Sequence, residues 1–314
     1  MLRDIFTLSF LVSLIASTIR LATPILIPAL GQLYTQRAGV LNLSVESAMT
    51  VSAVSGFAAA YFSGNLWLGA LCGIVTGVVW SAIMAWLSVS LRANQVIAGI
   101  GLNILGAGVA VFAYRVIFGV LTLPPTVETF PSLNFPGLSD LPVVGPILFQ
   151  HNALVYIGFA LIPLTWFILE KTTFGLKIRA VGEHPRAADS KGVSISGIRY
   201  AAILIGGAYA GLGGAFMTTA YLNCFTEGII GGRGYIAVSV VIFARFLPKR
   251  AMWGALLFGF ASGLQLRLQA LGVNIPSQLL LMLPYIMTII ALIFASKRAE
   301  MPGAYTQPYS RLER

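Results

Sequence analysis

Long apolar segments separated by short polar ones dominate the chain. Nine segments carry few or no charged residues, and most approach the roughly 20 residues that a helix needs to cross a bilayer. They span residues 5–33, 45–63, 66–90, 96–118, 153–169, 200–222, 233–247, 251–268 and 278–296. A two-residue alternation of apolar and polar positions, typical of a transmembrane barrel, is absent over long stretches. Because lipid offers the backbone no hydrogen-bond partner, the pattern predicts an all-α polytopic bundle of about eight to ten spans, with nine as the best estimate.

Composition agrees with this pattern. Of the 314 residues, 57% are hydrophobic and 10% are charged, whereas soluble domains carry roughly 25% charged residues. So few charges cannot cover the surface of a soluble protein of this size. The formal net charge is +10, but the basic residues lie in short segments between the apolar blocks, where they act as topology signals. We therefore expect membrane lipid around the chain and no nucleic-acid partner.

The distribution of Lys and Arg predicts the orientation. Neither occurs between Val116 and Glu170, a stretch that includes a proline-rich loop at 119–152, which we expect to be extracytoplasmic. The stretch 170–199 carries six basic residues and is expected to be a cytoplasmic loop. Counting spans from these loops puts the C-terminus in the cytoplasm and the N-terminus outside, with residues 1–314 forming a single transmembrane domain.

The first apolar segment allows two descriptions, because Arg20 lies in its middle, where a charge is expensive. In one, the whole segment crosses the membrane. In the other, residues 5–19 lie at the interface and Leu21–Tyr34 makes the crossing, kinked by Pro24 and Pro28. The sequence leaves both open.

Two polar interruptions break the apolar pattern. The first, Arg37–Glu46, combines a glycine, an asparagine and a carboxylate, and broken helices of this kind often mark transport paths. Its alternative is a short cytoplasmic turn in which Asn42 or Ser44 caps the next helix. The second, Phe225–Tyr235, is glycine-dense and is either a re-entrant segment or a flexible outer loop. The likeness of the two interruptions hints at an internal repeat.

Shorter patterns predict local structure. Asn94 and Gln95 are placed to cap the fourth apolar segment, and Asn103, about two turns further on, is expected to face the bundle interior. For such a residue, bonding between helices is a simpler role than contact with a ligand. Small residues spaced about four apart in the sixth segment predict close helix packing, at Gly207, Gly211 and Gly214.

The basic loop at 170–199 contains a capped turn. Pro185 can open a short helix there, and Gly192 can close it. This turn either docks onto another protein or is simply solvated.

The sequence contains no motif for catalysis or metal binding. It has no Gly-Lys dipeptide, and hence no P-loop, and no HExxH, GxSxG or CxxC. His151 and His184 fall in loops on opposite sides, and Cys72 and Cys224 are interpreted as buried small apolar residues. We therefore expect no enzymatic activity, no metal and no cofactor bound by this chain.

Four segments carry a family resemblance: Ala38–Glu46 (AGVLNLSVE), Leu91–Val96 (LRANQV), Gly175–Asp189 (GLKIRAVGEHPRAAD) and Phe225–Ala237. Over about residues 20–297 the chain resembles the permease subunits of bacterial ATP-binding-cassette (ABC) importers, in the group that contains ribose, galactose and branched-chain amino-acid permeases. Within that group it is most similar to the permeases of nucleoside uptake systems. Ser47 departs from the pattern, which has glycine after the glutamate.

The resemblance implies a transport subunit of a bacterial inner membrane that imports nucleosides by alternating access. Its partners would be a second permease, often a different chain, a cytoplasmic ATPase that uses the ATP, and an extracytoplasmic binding protein that delivers the substrate. The loop that receives the ATPase stroke would include Gly175, Arg179, Gly182, Glu183, His184, Pro185, Arg186, Ala188, Asp189 and Gly192.

For the substrate path we single out six polar residues: Asn42, Ser44, Glu46, Asn94, Gln95 and Asn103. Nucleosides offer hydroxyls and ring nitrogens, which amides and hydroxyls can pair with, and three aromatic residues could stack on a base: Phe225, Tyr235 and Phe243. Glu46 equally fits a structural role, paired with a helix N-terminus or an arginine.

Three alternatives remain open. The same class of importer could carry simple sugars such as ribose, or branched-chain amino acids. An ion-coupled secondary transporter would need an intramembrane carboxylate relay, and Glu46 is the one acidic residue close to such a position. A membrane-embedded enzyme would need a catalytic constellation that the sequence lacks.

Overall fold

The computed structural model describes residues 8–121, 123–271, 276–296 and 301–310, and every regular element in them is helical. Twelve α-helices follow one another in these ranges: α1 (Leu8–Arg37), α2 (Val45–Ser63), α3 (Leu66–Ala85), α4 (Gln95–Phe118), α5 (Ala153–Lys171), α6 (Thr173–Glu183), α7 (Pro185–Ser190), α8 (Ile195–Phe216), α9 (Arg233–Phe243), α10 (Pro248–Ala270), α11 (Ser277–Leu281) and α12 (Leu283–Ser296). Three π-helical turns lie at Trp86–Ser90, Gly145–Phe149 and Met217–Tyr221. The predicted all-α class is confirmed.

Each of the nine predicted apolar segments contains a helix. Five helices in the described ranges are long and apolar enough to cross a membrane: α1, α4, α5, and α3 and α8 with the π-turns that continue them. α2 has the predicted limits, 45–63. α9 has only 11 residues, which at about 1.5 Å per residue is roughly half a span. The predicted segment 233–247 is therefore a half-length helix and not a full crossing.

α1 forms the centre of the bundle, with α5, α8, α9 and α10 packed around it. It is buried continuously from Leu21 to Gln36 and passes through Pro24 and Pro28 as one helix. The first apolar segment is therefore not divided into an interfacial helix and a separate crossing. Its predicted start at residue 5 lies outside the described residues.

α8 packs on its neighbours through direct backbone contact. A Cβ atom at Gly211 would overlap the carbonyl oxygen of Gly73 in α3, and one at Gly214 would overlap the carbonyl oxygen of Met49 in α2. Gly207 lies against α3 in the same way. The three glycines singled out in the sequence thus lie where two helices approach too closely for any larger residue.

The two cysteines are free thiols. Cys224 is half-buried, but Cys72 is exposed on α3. The prediction that Cys72 is buried is wrong, because it lies on the surface that α3 turns away from the bundle.

The long loops lie at opposite ends of the bundle. At one end, which we call the basic end, Glu170 at the close of α5 pairs with Arg37 at 2.7 Å and with Arg179 at 3.1 Å. At the other end, which we call the loop end, the backbone of Val127 bonds to Asn223 and the Asn152 side chain bonds to the Ala220 carbonyl. The segments predicted to be cytoplasmic and extracytoplasmic are therefore separated by the length of α5.

Candidate functional site

The first break in the apolar pattern is a non-helical segment, residues 38–44, between α1 and α2. Gly39 has φ of +81°, a backbone conformation that favours glycine. The Asn42 side chain is buried, and its Oδ1 accepts hydrogen bonds from the Ser44 backbone at 3.0 Å and from the Ser44 hydroxyl at 2.7 Å. Ser44 occupies the N-cap position of α2 but makes no side-chain cap. Ser44 is therefore the N-cap residue of α2, as that alternative has it, but neither its side chain nor that of Asn42 caps the helix, because the two side chains bond to each other.

The start of α4 is bonded to the first break. Asn94 caps α4 as predicted, with its side chain accepting from Val96 and Ile97, and it is exposed. Gln95 is buried, and its Oε1 accepts from the Leu41 amide at 2.8 Å. Asn94 thus lies at the protein surface and caps α4, whereas Gln95 holds the backbone of the first break in place.

Asn103 joins three elements. Its Oδ1 accepts from the Ser47 amide at 3.0 Å, and its Nδ2 donates to the Leu43 carbonyl at 2.9 Å and to the Tyr235 hydroxyl at 2.6 Å. It therefore joins α4 to the first break, α2 and α9, which is the predicted bonding between helices, but it is half-buried at an outward-facing surface and not in the bundle interior.

Ser47, where the family pattern has glycine, uses its hydroxyl for two buried bonds. Its Oγ donates to the Ser44 carbonyl at 2.8 Å and accepts from Trp80 Nε1 at 2.9 Å. The extra side chain therefore links α2 to α3 beside the break.

Glu46 closes the first break against the second. Its Oε1 accepts from the Gly232 amide at 2.8 Å and its Oε2 from the Gly234 amide at 2.7 Å. These amides form the N-terminus of α9, where a carboxylate is favoured by the unpaired N–H groups and by the helix dipole. Of the roles left open for Glu46, the contact with a helix N-terminus is the one observed.

The second break is the non-helical first part of a path that α9 continues to the basic end, where the Phe246 carbonyl accepts from Arg37 Nε, so it does not turn back as a re-entrant segment would. It leaves the loop end after Tyr221 and reaches Glu46 at Gly232. Phe225 and Ile230 are each 1% exposed and pack in the core formed by α2, α4 and α9. The description as a flexible outer loop is therefore wrong, because buried side chains anchor the segment inside the bundle.

Of the three aromatic residues considered for stacking, only Tyr235 presents a ring at the surface, with 43% of the residue exposed. Phe225 is buried, and Phe243 packs against Phe258. Tyr235 and Asn103 mark an outward-facing surface on α4 and α9. Arg115, nearer the end of α4 that faces the loop end, pairs with Glu227 at 2.8 Å. We call the surface around Asn103 and Tyr235 the polar face.

The loop singled out as a coupling element folds as α6 and α7. Pro185 is the first residue of α7, and Gly192 follows it with φ of +79°, so the predicted capped helix is confirmed. A Cβ atom at Gly182 would overlap the Arg37 carbonyl oxygen, and one at Gly175 would overlap the backbone at the end of α5. α6 therefore packs tightly on α1 and α5.

The outer side of this pair of helices is open. The predicted residues Glu183, His184 and Arg186 are exposed, whereas Ala188 is buried and Asp189 accepts a hydrogen bond from Tyr309 at 2.8 Å. A groove of about 510 Å³ lies between α6 and α7, with apolar lining from Leu176, Ala180, Ala187 and Val193. We call it the coupling groove.

Two features of the basic end escaped the sequence analysis. Arg199, at the start of α8, is 2% exposed, although it looked like one more basic residue of a solvated loop. Residues 301–310, beyond the last apolar segment, lie across α6, α7 and the first break. Nothing in the pattern of apolar residues signals the second feature.

Comparison with known proteins gives a consistent result. The family model described as "Branched-chain amino acid transport system / permease component" matches residues 14–292. A Haloferax volcanii protein named, provisionally, as a glucose ABC transporter permease is 38% identical over 97% of this chain and 99% of its own length. The guanosine ABC transporter permease protein NupQ of Bacillus subtilis is 36% identical over 96% of this chain and 97% of its own length.

The nucleoside ABC transporter permease protein NupC of Lactococcus lactis is 33% identical, over 93% of this chain and 94% of its own length. A second guanosine ABC transporter permease protein of Bacillus subtilis, NupP, matches more weakly, at 25% identity over 78% of this chain and 71% of its own length. No solved structure matches the chain significantly.

Proposed function

We propose that the substrates of this chain, which belongs to the permease family of branched-chain amino acid transport systems, are nucleosides. The chain is a permease subunit of an ABC importer. It is a transport subunit and not itself an enzyme. Two full-length relatives carry guanosine or nucleoside in their names, which supports the proposal. The relative with glucose in its name supports a second candidate, a simple sugar.

The polar face is the surface that we assign to the substrate path. Asn103 and Tyr235 offer an amide, a hydroxyl and an aromatic ring within one hydrogen bond of each other, and Asn94 lies exposed at the basic end of the same helix. An amide and a hydroxyl can bind the hydroxyls of any sugar ring. The tyrosine ring adds a face on which a nucleobase can stack, which supports the nucleoside proposal.

The other predicted path residues have a supporting role in this proposal. Asn42, Ser44 and Gln95 are buried and bonded within the first break, and Glu46 is bonded to α9. In this proposal they hold the backbone of the first break and the start of α9 in position beside the polar face, and they do not contact the substrate.

A second permease would cover the polar face from the opposite side. Exposed apolar residues flank the face along α4: Ile97 is 71% exposed and Ile104 is 72% exposed. Bacillus subtilis has two guanosine permease proteins that both match this chain, at 36% and 25% identity. We therefore propose that the partner is a different, related chain.

Permeases of ABC importers work with an ATPase and a substrate-binding protein. We assign the coupling groove to the ATPase, because it is apolar, open and rimmed by exposed charged residues at the basic end. This end would be cytoplasmic by the positive-inside rule. The binding protein would then deliver substrate at the loop end, over residues 119–152.

The contacts suggest how an ATPase stroke reaches the path. Arg37 and Arg179 share Glu170, so α6 is paired with the ends of α1 and α5. α1 leads directly into the first break. Glu46, which follows the break and is bonded to α9, would transmit the movement of the break to α9 beside the polar face. Alternating access then follows from tilting these elements together. The path can bind substrate weakly, because a ligand shifts such an equilibrium only by its difference in affinity for the two states.

The experiment that tests the substrate is transport into proteoliposomes. They would contain the complete transporter, with ATP on the ATPase side and the transporter's own binding protein outside. We expect labelled guanosine or uridine to accumulate, and excess unlabelled glucose to leave that rate unchanged. Accumulation of glucose without nucleosides would establish the sugar alternative. Uptake without ATP, driven by an ion gradient, would contradict the importer mechanism itself.

A further inference from the structure

Residues 301–310 form a strap across the basic end of the bundle. The Gly303 amide donates to the Glu183 carboxylate at 3.1 Å, and the Ala304 amide donates to the Gly182 carbonyl at 2.8 Å. Both acceptors belong to the last turn of α6. The strap therefore begins on one of the two helices that line the coupling groove.

The strap then reaches the first break. The Thr306 amide donates to the Gly39 carbonyl at 3.0 Å. A Cβ atom at Gly39 would lie 2.9 Å from the Ala304 carbonyl oxygen, so the bend of the break is shaped to the passing strap. Ala304 is 4% exposed, and this part of the strap is packed into the bundle.

Beyond the break, the strap meets α8 and α7. The Gln307 carbonyl accepts from Arg199 Nη1 at 2.9 Å, and the Tyr309 hydroxyl donates to Asp189 of α7 at 2.8 Å. Within seven residues, from Gly303 to Tyr309, it is hydrogen-bonded to α6, the first break, α8 and α7 in turn.

Arg199 is the residue that depends on the strap. It is 2% exposed, and the Gln307 carbonyl is the one hydrogen-bond acceptor that its guanidinium has among the described residues. Burying a charged group without partners is costly. The strap carbonyl therefore supplies an acceptor to an arginine that is otherwise buried without one in the described part of the chain.

We infer that this strap is a positioning element for transport: it fixes α6 and α7 to the first break, so that movement of the coupling helices moves the gate. The inference rests on the proposed docking of the ATPase at the coupling groove. α6 already contacts Arg37 directly, but α7 reaches the first break through Tyr309 and Gly39. Without the strap, the ATPase could move α7 while the break stayed in place.

The test uses the complete transporter in proteoliposomes and measures substrate molecules transported per ATP hydrolysed. A chain that ends at residue 300 is expected to lose at least fivefold in this ratio while its ATPase rate stays within twofold of the parent. Gln307→Ala is the matched control, because it removes an exposed side chain and keeps the carbonyl that Arg199 uses. An unchanged ratio, or a proportional loss of both activities, would overturn the inference.

A second set of variants serves if the shortened chain does not assemble. Tyr309→Phe and Asp189→Ala each remove the hydrogen bond between the Tyr309 hydroxyl and the Asp189 carboxylate, which links the strap to α7. Each is expected to lower the ratio about twofold, and the double variant no further than the larger single effect. Additive losses would contradict a shared role. The ratio is measured with whichever substrate the parent transporter carries, so an error in the proposed substrate would appear in the parent and not in these variants.

Discussion

The carboxylate of Glu46 and the amide of Gly234 are hydrogen-bonded at 2.7 Å, although 188 residues separate them in the chain. Glu46 follows the first break and Gly234 follows the second. The carboxylate satisfies N–H groups that α9 cannot pair internally, and its charge lies at the positive end of that helix. The two breaks therefore form one structural unit, beside the surface on which Asn103 and Tyr235 meet.

Replacing Glu46 by alanine is expected to destabilise the permease. The change leaves the Gly232 and Gly234 amides without their acceptors, and each unsatisfied buried donor costs about 1–3 kcal/mol. Glu46→Gln should fall between the parent and alanine, because it keeps one acceptor oxygen but presents an NH₂ group to the other amide. The measurement is the temperature at which the purified permease loses its monodisperse state in detergent.

Glu128→Gln is the control for charge, because Glu128 lies exposed in the 119–152 loop and should not change that temperature. If Glu46→Ala melted with the parent and failed only in transport, Glu46 would be a substrate contact and the structural role would be wrong.

The Glu46 contact shows what the sequence could predict. Both breaks, their polar residues and the helices around them follow from local patterns, because a run of apolar residues in lipid has no alternative to a helix. That the breaks meet does not follow, because it depends on how α2 and α9 pack together across the fold. The strap is a stronger case, since its contacts with Gly39 and Arg199 are made by backbone groups that any residue type would provide.

Tyr235 is expected to affect transport more than stability. Tyr235→Phe removes the hydroxyl bonded to Asn103 at 2.6 Å but keeps the ring. In the proposed path this hydroxyl also bonds the substrate, and loss of that hydrogen bond, worth about 0.5–1.5 kcal/mol, should lower nucleoside transport about two- to tenfold. Tyr235→Ala also removes the stacking face and should lower it further. Tyr61→Ala, at another exposed tyrosine, should leave the rate unchanged, and an equal effect of both alanine variants would argue against a path at the polar face.

The contact between α3 and α8 predicts a difference between two glycines. Gly211→Ala places a Cβ atom on the Gly73 carbonyl oxygen, and overpacking of this kind costs about 1–3 kcal/mol. Gly108→Ala in α4 meets no atom within 4 Å and should be neutral or stabilising by up to about 1 kcal/mol, because alanine favours a helix. Thermal unfolding of the two purified variants measures the difference, and equal melting temperatures would contradict the packing described for α8.

Binding of the ATPase should depend on Leu176 in the coupling groove. Leu176 is 60% exposed, so Leu176→Asp is expected to abolish co-purification of the ATPase while the permease inserts and melts normally. Gly182→Ala is not an equivalent probe, because its Cβ atom would overlap the Arg37 carbonyl oxygen and disturb the permease itself. Leu141→Asp, in the 119–152 loop, is the control at the opposite end. Co-purification of the ATPase with Leu176→Asp at the parent level would place the docking surface elsewhere.

His151 is expected to make the stability of the loop end depend on pH. Burial lowers the pKa of the His151 ring below its usual value, and the positive charge of Arg20 lowers the pKa further. The hydrogen bond to the Ile147 carbonyl, 2.8 Å from Nε2, raises the pKa but does not offset the effect of burial. Nδ1 is buried and has no hydrogen-bond partner among the described residues, so protonation would create a donor without an acceptor. The neutral ring is the form that the folded loop accommodates.

The sign of the pH dependence follows from this lowered pKa. Above about pH 6.5 the ring is neutral in the folded and unfolded states alike, and the stability is fully present. As the pH falls through about 6.5 towards the folded-state pKa, the unfolded chain takes up a proton that the folded chain does not, and stability is lost. We expect the melting temperature of the parent to fall between pH 7.5 and 5 by more than that of His151→Gln, whereas His184→Gln, at an exposed histidine, should follow the parent. Parallel curves for all three proteins would show that His151 titrates alike in both states.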